Sequence, residues 1–143
     1  MATTQKRQHD VAARISDVFV EAYNTGDTAG IVDVVTPDFV CHHMPSGREF
    51  HGSAEYRDHI GETRAAFPDF SLASDELVVE GEMGAGRYRW TGTHEGEFNG
   101  IPATDRRVDT SSMTMMRMDG DRLAEMWIYG DDRGMMEQLG IER

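Results

Sequence analysis

Along the first third of the chain the apolar residues fall at offsets of three and four. Val11, Ile15, Val18, Phe19 and Ala22 recur in this way between Gln8 and Asn24, which predicts an amphipathic helix with one buried stripe. Gly26 stops it. Asp27 or Thr28 can cap a second, shorter helix with Ile31, Val34 and Val35 inward, ended by Pro37. The period then changes to two. Phe39-Val-Cys-His-His43 reads as a short strand, broken by the turn Met44-Pro45-Ser46-Gly47, with Arg48-Glu-Phe50 placed to pair with it. Neighbours on a strand face opposite ways, so only one of His42 and His43 can look inward. A third helix opens at Gly52-Ser53, carries Tyr56, Ile60 and Phe67 on one side, and closes before Pro68.

The remainder is mostly strand. Phe70 to Val79 is one, with a turn at Gly81-Glu82. From Met83 to Glu95 one face holds Met83, Ala85, Arg87, Arg89, Thr91 and Thr93, and the other Gly84, Gly86, Tyr88, Trp90, Gly92 and His94. Three glycines on one face permit strong bending or the close approach of another chain segment. After a loop marked by Gly100 and Pro102, a strand runs from Arg106 or Arg107 to Met118. Asp119-Gly120 is a strong two-residue hairpin signal. That loop sets Met118 opposite Asp121, Met116 opposite Leu123, Ser112 opposite Trp127, Thr110 opposite Tyr129 and Val108 opposite Asp131, unless a one-residue bulge inverts the faces. Helices first and a bent antiparallel sheet afterwards predict one α+β domain, with helices covering one face.

Length and charge narrow the function classes. A chain of 143 residues has room for one core, and residues 1–8 are polar enough to be a flexible arm. No apolar run approaches a membrane span and the amino terminus lacks a secretory signal, so the expected location is cytoplasmic. The single cysteine, Cys41, rules out an internal disulfide and agrees with a reducing compartment. The net charge of −12 is spread along the chain and repels nucleic acid and anionic membranes, which excludes both as partners. Among the 14 basic residues only Lys6 is a lysine. Dispersed acidity with so little lysine is the pattern of a halophilic protein; a GC-rich genome would account for the arginine but not for the acidity.

The chemistry points to the segment from Glu125 to Gly140. Residues Leu123, Glu125, Trp127 and Tyr129 share one face by alternation, and Asp131 continues the set. A carboxylate beside two aromatics is a place where proton transfer becomes plausible; the competing reading is an N-cap on the helix that follows. The histidines His42, His43, His51 and His94 have no helical i, i+4 pair and no accompanying carboxylate pattern, so no metal site is expected. Cys41 reads as a small buried hydrophobe, and the methionines between Met113 and Met136 as core filler.

Several of these pieces together resemble a known family. Phe19-Val-Glu-Ala-Tyr-Asn-Thr-Gly-Asp27, His42 followed by Pro45 and Gly47, Phe67-Pro-Asp69, Gly92-Thr-His94-Glu-Gly-Glu-Phe98-Asn-Gly-Ile-Pro102, Arg117-Met-Asp-Gly120 and Glu125-Met-Trp127 with Asp131 and Gln138-Leu-Gly140 resemble the SnoaL-like polyketide cyclases of the nuclear transport factor 2-like superfamily. The likeness spans nearly the whole chain, departing where Ala103-Thr104-Asp105 replaces a Pro-Thr-Gly segment. It implies a cone-shaped pocket between a curved sheet and the helices packed on its concave face. Asp131 would be the general acid/base of an intramolecular aldol ring closure on a polyketide-like or small apolar ligand, without metal or organic cofactor, in a homodimer. His94 is then the second catalytic candidate, with a structural role as its alternative. His42, Trp127, Tyr129, Trp90, Ser112 and Met116 are the expected substrate-binding residues. Two other uses of the same fold stay open: a hydrolase or isomerase working through the same carboxylate, and a non-catalytic module that binds a small molecule.

Overall fold

The computed structural model describes residues 2–141, with only the backbone of residues 2 and 3; Met1, Glu142 and Arg143, at the ends of the expected 1–143 domain, lie outside the described residues. Its elements are α1 (Ala2–Thr25), α2 (Ile31–Val34), β1 (Val35–His43), β2 (Arg48–His51), α3 (Gly52–Ala66), β3 (Ser71–Glu80), β4 (Met83–Thr93), β5 (Arg107–Asp119), β6 (Arg122–Gly130) and α4 (Asp132–Gln138). The strands form one sheet in the order β2-β1-β6-β5-β4-β3. Every neighbouring pair is antiparallel except β1 and β6, which run parallel. The result is an α+β fold with a curved, unclosed sheet and the amino-terminal helices against its concave face, and the core lies between them.

Helix α1 buries Ala12, Ile15, Phe19, Ala22 and Tyr23, the stripe that the apolar spacing predicts. It begins at Ala2 and not at Gln8, so the stretch expected as an arm is helical. Its first turns need no apolar face because they lie in solvent, where Lys6 and Asp10 pair at 3.0 Å across one turn. At the other end Gly26 takes a positive φ of 81°, and the Arg64 guanidinium donates to the carbonyls of Tyr23 (2.7 Å) and Asn24 (3.1 Å), which the last helical turn leaves without partners.

Pro37 does not end a helix. Helix α2 is a single turn and Pro37 lies within β1, exposed, where the pairing with β6 shifts between Val35 and Val40. An irregular stretch of this kind tolerates a residue without an N–H. Strand β4 and the residue after it follow the predicted alternation closely: Gly84, Gly86, Tyr88, Gly92 and then His94 are buried and Arg87 and Arg89 exposed. Its glycines give room to neighbours. A Cβ on Gly86 would run into the Tyr88 ring and one on Gly92 into Phe67.

The β5–β6 hairpin departs from the predicted register. Asp119 pairs with Arg122, so the turn is Gly120-Asp121, and Ala124 is an extra residue between the pairs Met118–Leu123 and Arg117–Glu125. Met116 therefore faces Met126, Thr114 faces Ile128 and Met113 faces Tyr129. The slip turns Leu123, Met126 and Ile128 toward the helices and Glu125, Trp127 and Tyr129 to the outer face.

Candidate active site

The concave face and the helices enclose a cavity of about 140 Å³. Its wall is largely aromatic and aliphatic, with Phe19, Phe67, Phe70, Trp90, Met126 and Ile128 prominent. The polar groups come from every side: Ser16 and Tyr23 on α1, Tyr56, His59 and Thr63 on α3, Tyr88 on β4, Thr110, Ser112 and Thr114 along β5, His43 at the end of β1, and Asn99, Asp131 and Asp132 at the rim. Among the described residues neither arginine nor lysine lines it.

Several hydroxyls already have partners. The Tyr23 and Tyr56 hydroxyls lie 2.7 Å apart, as do the Ser16 and Tyr88 hydroxyls. Burial drives the Tyr23 and Tyr56 phenols well above their ordinary range, so they remain neutral hydrogen-bonding groups. Cys41 behind them is fully buried and its thiol is pushed up to about 12 by burial, which leaves no thiolate nucleophile.

Asp131 lines the cavity and also caps α4: its Oδ1 accepts from the Gly134 N–H at 2.9 Å. Asp131 is exposed and is the N-cap, and it meets the cavity without Trp127 and Tyr129 beside it because the chain leaves the strand at Gly130. Asp131, with φ −85° and ψ 76°, is carried to the rim by this turn and not by strand alternation.

The expected substrate-binding residues divide. Trp90, Ser112 and Met116 line the cavity. His42, Trp127 and Tyr129 do not. All three stand on the outer face, where His42 stacks on Trp127 (centroids 5.4 Å apart) with its Nδ1 3.1 Å from Glu49 Oε2 and its Nε2 2.7 Å from Glu125 Oε2. These contacts hold the Glu125 carboxyl below its ordinary range, the His42 hydrogen bond contributing most. Tyr129 is 51% exposed. For Trp127 and Tyr129 the physical reason is the extra residue at Ala124. For His42 it is the parity of β1, since Phe39 and Cys41 are buried and alternation from them turns His43 inward.

His94 is fully buried, but it stacks on the back of Phe67 (5.4 Å) and is not among the residues that line the cavity. Its Nδ1 lies 3.0 Å from the Thr104 hydroxyl, and its Nε2 is buried without a hydrogen-bond partner among the described residues. The ring ties the β4–β5 loop to the core, assisted by its own backbone pairing with Asp105 and Arg106.

Two residues on the cavity wall escape the sequence reading. His43 shares strand parity with Phe39 and Cys41, and His59 lies three residues after Tyr56 and four before Thr63 on the buried side of α3. Their rings are 4.9 Å apart, and His59 stacks on Phe50 at 4.5 Å. Burial lowers His43 to about 4, with a smaller contribution from the Arg48 charge. Burial, then His43 and Arg48, lowers His59 to about 3. Both are uncharged imidazoles at neutral pH.

Among the described residues no helix is long and apolar enough to cross a membrane, and no group of three or more His, Cys, Asp or Glu side chains could hold a metal ion.

Comparison with known proteins accords with this arrangement. The chain is 25% identical over 122 residues to a nogalonic acid methyl ester cyclase of Streptomyces nogalater, covering 85% of this chain and 91% of the relative. The structure of TsrD from Streptomyces laurentii superposes with a TM-score of 0.83 at 28% identity, covering 93% of this chain and 97% of that one. A Catenulispora acidiphila protein of ketosteroid isomerase-like fold, 12% identical, shares the architecture alone, with a TM-score of 0.77 over 90% of this chain and 93% of that one. The profile of the SnoaL-like polyketide cyclases matches residues 13–139, and the chain belongs to that family, with the nuclear transport factor 2-like fold.

Proposed function

We propose that this member of the family is a cofactor-independent enzyme that closes a ring in a polyketide-like carbonyl compound by an aldol reaction, with Asp131 as its general acid and base. The observation that carries this reading is a carboxylate fixed at the rim of an aromatic cavity by a backbone hydrogen bond. The Asp131 carboxylate removes a proton from a carbon flanked by carbonyls. The C–H electron pair moves onto the neighbouring carbonyl oxygen as an enolate, held by hydrogen-bond donors of the cavity. The enolate carbon attacks a second carbonyl of the same molecule, the new C–C bond forms, and the resulting alkoxide recovers the proton from Asp131. The carboxylate is regenerated and no redox step occurs. A carbon acid activated by two carbonyls needs no further electrophile, so the reaction calls for a positioned base and donors only.

The charge of the site favours a neutral substrate. Asp131 stands at the rim of a cavity that no arginine or lysine among the described residues lines, in a protein of net charge −12. An ester fits this field better than the corresponding carboxylate.

The test is Asp131→Asn. Asparagine caps helices as well as aspartate, so α4 keeps its start while the base is lost. Turnover of a panel of activated diketones and polyketide-like esters should fall by about a hundredfold or more, the usual worth of a positioned general base, while binding persists. Unchanged turnover would reject Asp131. A wild-type protein that binds these compounds without converting them would be a binding module instead.

A further inference from the structure

We propose that His43 and His59 form the site for a substrate carbonyl oxygen, two uncharged imidazoles whose N–H groups hold that oxygen as a ketone and then as the enolate. The assignment rests on the reading of Asp131 as the base.

The hydrogen on His43 can be located. The Ser46 amide N–H points at His43 Nδ1 from 3.4 Å, and the Ser46 hydroxyl lies 2.8 Å from the same nitrogen. A backbone N–H can only donate, so Nδ1 accepts. The Ser46 oxygen in turn accepts from the Arg48 N–H at 3.2 Å, and its own hydrogen has two acceptors, the His43 carbonyl at 3.4 Å and the nearer ring nitrogen at 2.8 Å. A neutral His43 therefore carries its hydrogen on Nε2, at the ring edge away from the turn, and no described residue accepts it.

His59 supplies the second donor. It is 7% exposed and lines the cavity, and its ring meets Phe50, Tyr56 and His43 in stacked or tilted contact. Neither ring nitrogen has a hydrogen-bond partner among the described residues. A neutral imidazole always bears one N–H, so whichever tautomer is present leaves a donor without an acceptor. The sealed polar atoms without a partner among the described residues are Thr36 Oγ1 and His94 Nε2, whereas the free nitrogens of His43 and His59 open onto the cavity that both rings line, 4.9 Å apart, where a ligand atom that accepts twice can meet them. A carbonyl oxygen has two lone pairs.

The absence of charge suits the chemistry. An imidazolium pair would be drawn to Asp131 and would damp the base that the reaction needs. Neutral donors strengthen their hold as negative charge develops on the oxygen, in a cavity where that charge is poorly solvated otherwise.

The experiment compares α-tetralone, which accepts but cannot donate, with tetralin, its hydrocarbon counterpart. The wild-type protein should bind the ketone about tenfold more tightly, and the infrared carbonyl stretch of the bound ketone should move to lower frequency. His43→Leu should abolish the preference and the shift while tetralin binding remains, and His59→Leu should weaken both. His43→Gln, which restores an N–H, should recover part of the shift. Equal binding of ketone and hydrocarbon by the wild type overturns the assignment, a result that does not depend on any variant folding. A shift that survives in both leucine variants also overturns it. Asp131→Asn separates the two readings: it should keep the ketone preference while losing turnover. Lost turnover in a protein without ketone preference removes the imidazole site and keeps the base. Ketone preference in a protein whose Asp131→Asn form still turns over removes the base and keeps the site.

Discussion

The Asp131 carboxylate occupies the space that a side chain on Gly134 would need. The Gly134 N–H holds Oδ1 at 2.9 Å, and a Cβ on Gly134 would overlap Oδ2. Gly134 lies in the first turn of α4, where alanine normally favours a helix by up to about 1 kcal/mol. Here Gly134→Ala must expel the cap, which costs about 1 kcal/mol in the opposite direction. The expected result is little net change in the melting temperature, together with a clear loss of turnover as the carboxylate swings away from the rim. Assay of the purified variant beside its thermal melt checks this, and a fully active Gly134→Ala protein would show that the carboxylate need not be fixed.

The inversion of β6 makes the two tryptophans distinguishable. Trp90 lines the cavity and stacks on Phe70 at 5.1 Å, whereas Trp127 lies on the outer face against His42. An aromatic ligand in the cavity should therefore quench fluorescence from Trp90 alone. Trp90→Phe should remove the ligand-dependent change and Trp127→Phe should leave it intact. Quenching that disappears with Trp127→Phe would place the ligand on the other side of the sheet.

Much of this arrangement is legible in the residues, and the places where it is not have local causes. The alternation of Gly84, Gly86, Tyr88, Gly92 and His94 against Arg87 and Arg89 gives the inner face of β4 because glycine and arginine separate cleanly there. In β6 strict alternation cannot place both charges outside, since Arg122 and Glu125 fall on opposite faces. The structure resolves this with the extra residue at Ala124, so that Leu123 and Ala124 are both buried and both charges reach solvent. That conflict was the available sign of a bulge. His43 is hidden for another reason: motif position favours His42, while parity from Phe39 and Cys41 favours His43, and the sheet obeys parity. Asp131 serves as cap and rim residue together because the exit of the chain from Gly130 is a property of the strand–helix junction, which no periodicity encodes.

The neutral imidazoles make the fold acid-sensitive. His43 and His59 have folded-state values of about 4 and about 3, below the ordinary 6.5. Below about pH 6.5 the unfolded chain thus binds more protons than the folded one, and stability falls as pH drops. Their contribution is complete above pH 6.5 and is lost progressively as pH falls toward 4 and then 3, on the order of 3 kcal/mol for His43 and 5 kcal/mol for His59. Melting temperature should decline between pH 7 and pH 5, and His43→Gln should flatten the decline. The histidine ring resonances of these two residues should not titrate above pH 5 in NMR spectra. A wild-type melting temperature independent of pH over that range would mean that the pair is hydrated enough to ionise in the folded state.

Part of the surplus acid gathers at one end of the sheet, around a hollow that Arg7 lines together with Glu82 and Asp121. The β3–β4 turn carries Glu80 and Glu82 and the β5–β6 turn carries Asp119 and Asp121, and the two turns lie together at one end of the sheet, where the Met118 N–H donates to the Glu82 carbonyl at 2.8 Å. None of these four carboxylates belongs to an ion pair among the described residues. Their mutual repulsion acts over a Debye length of about 10 Å in 0.1 M salt and about 3 Å in 1 M salt. If the acidity is an adaptation to high salt, the melting temperature rises steeply from dilute buffer to molar potassium chloride, and dialysis into dilute buffer loosens the fold. Glu82→Gln combined with Asp121→Asn should raise the melting temperature in dilute buffer and leave it nearly unchanged in molar salt, where screening already removes the repulsion. Equal stability of the wild-type protein in both media would leave codon usage to explain the arginines and remove the halophilic reading of the charge.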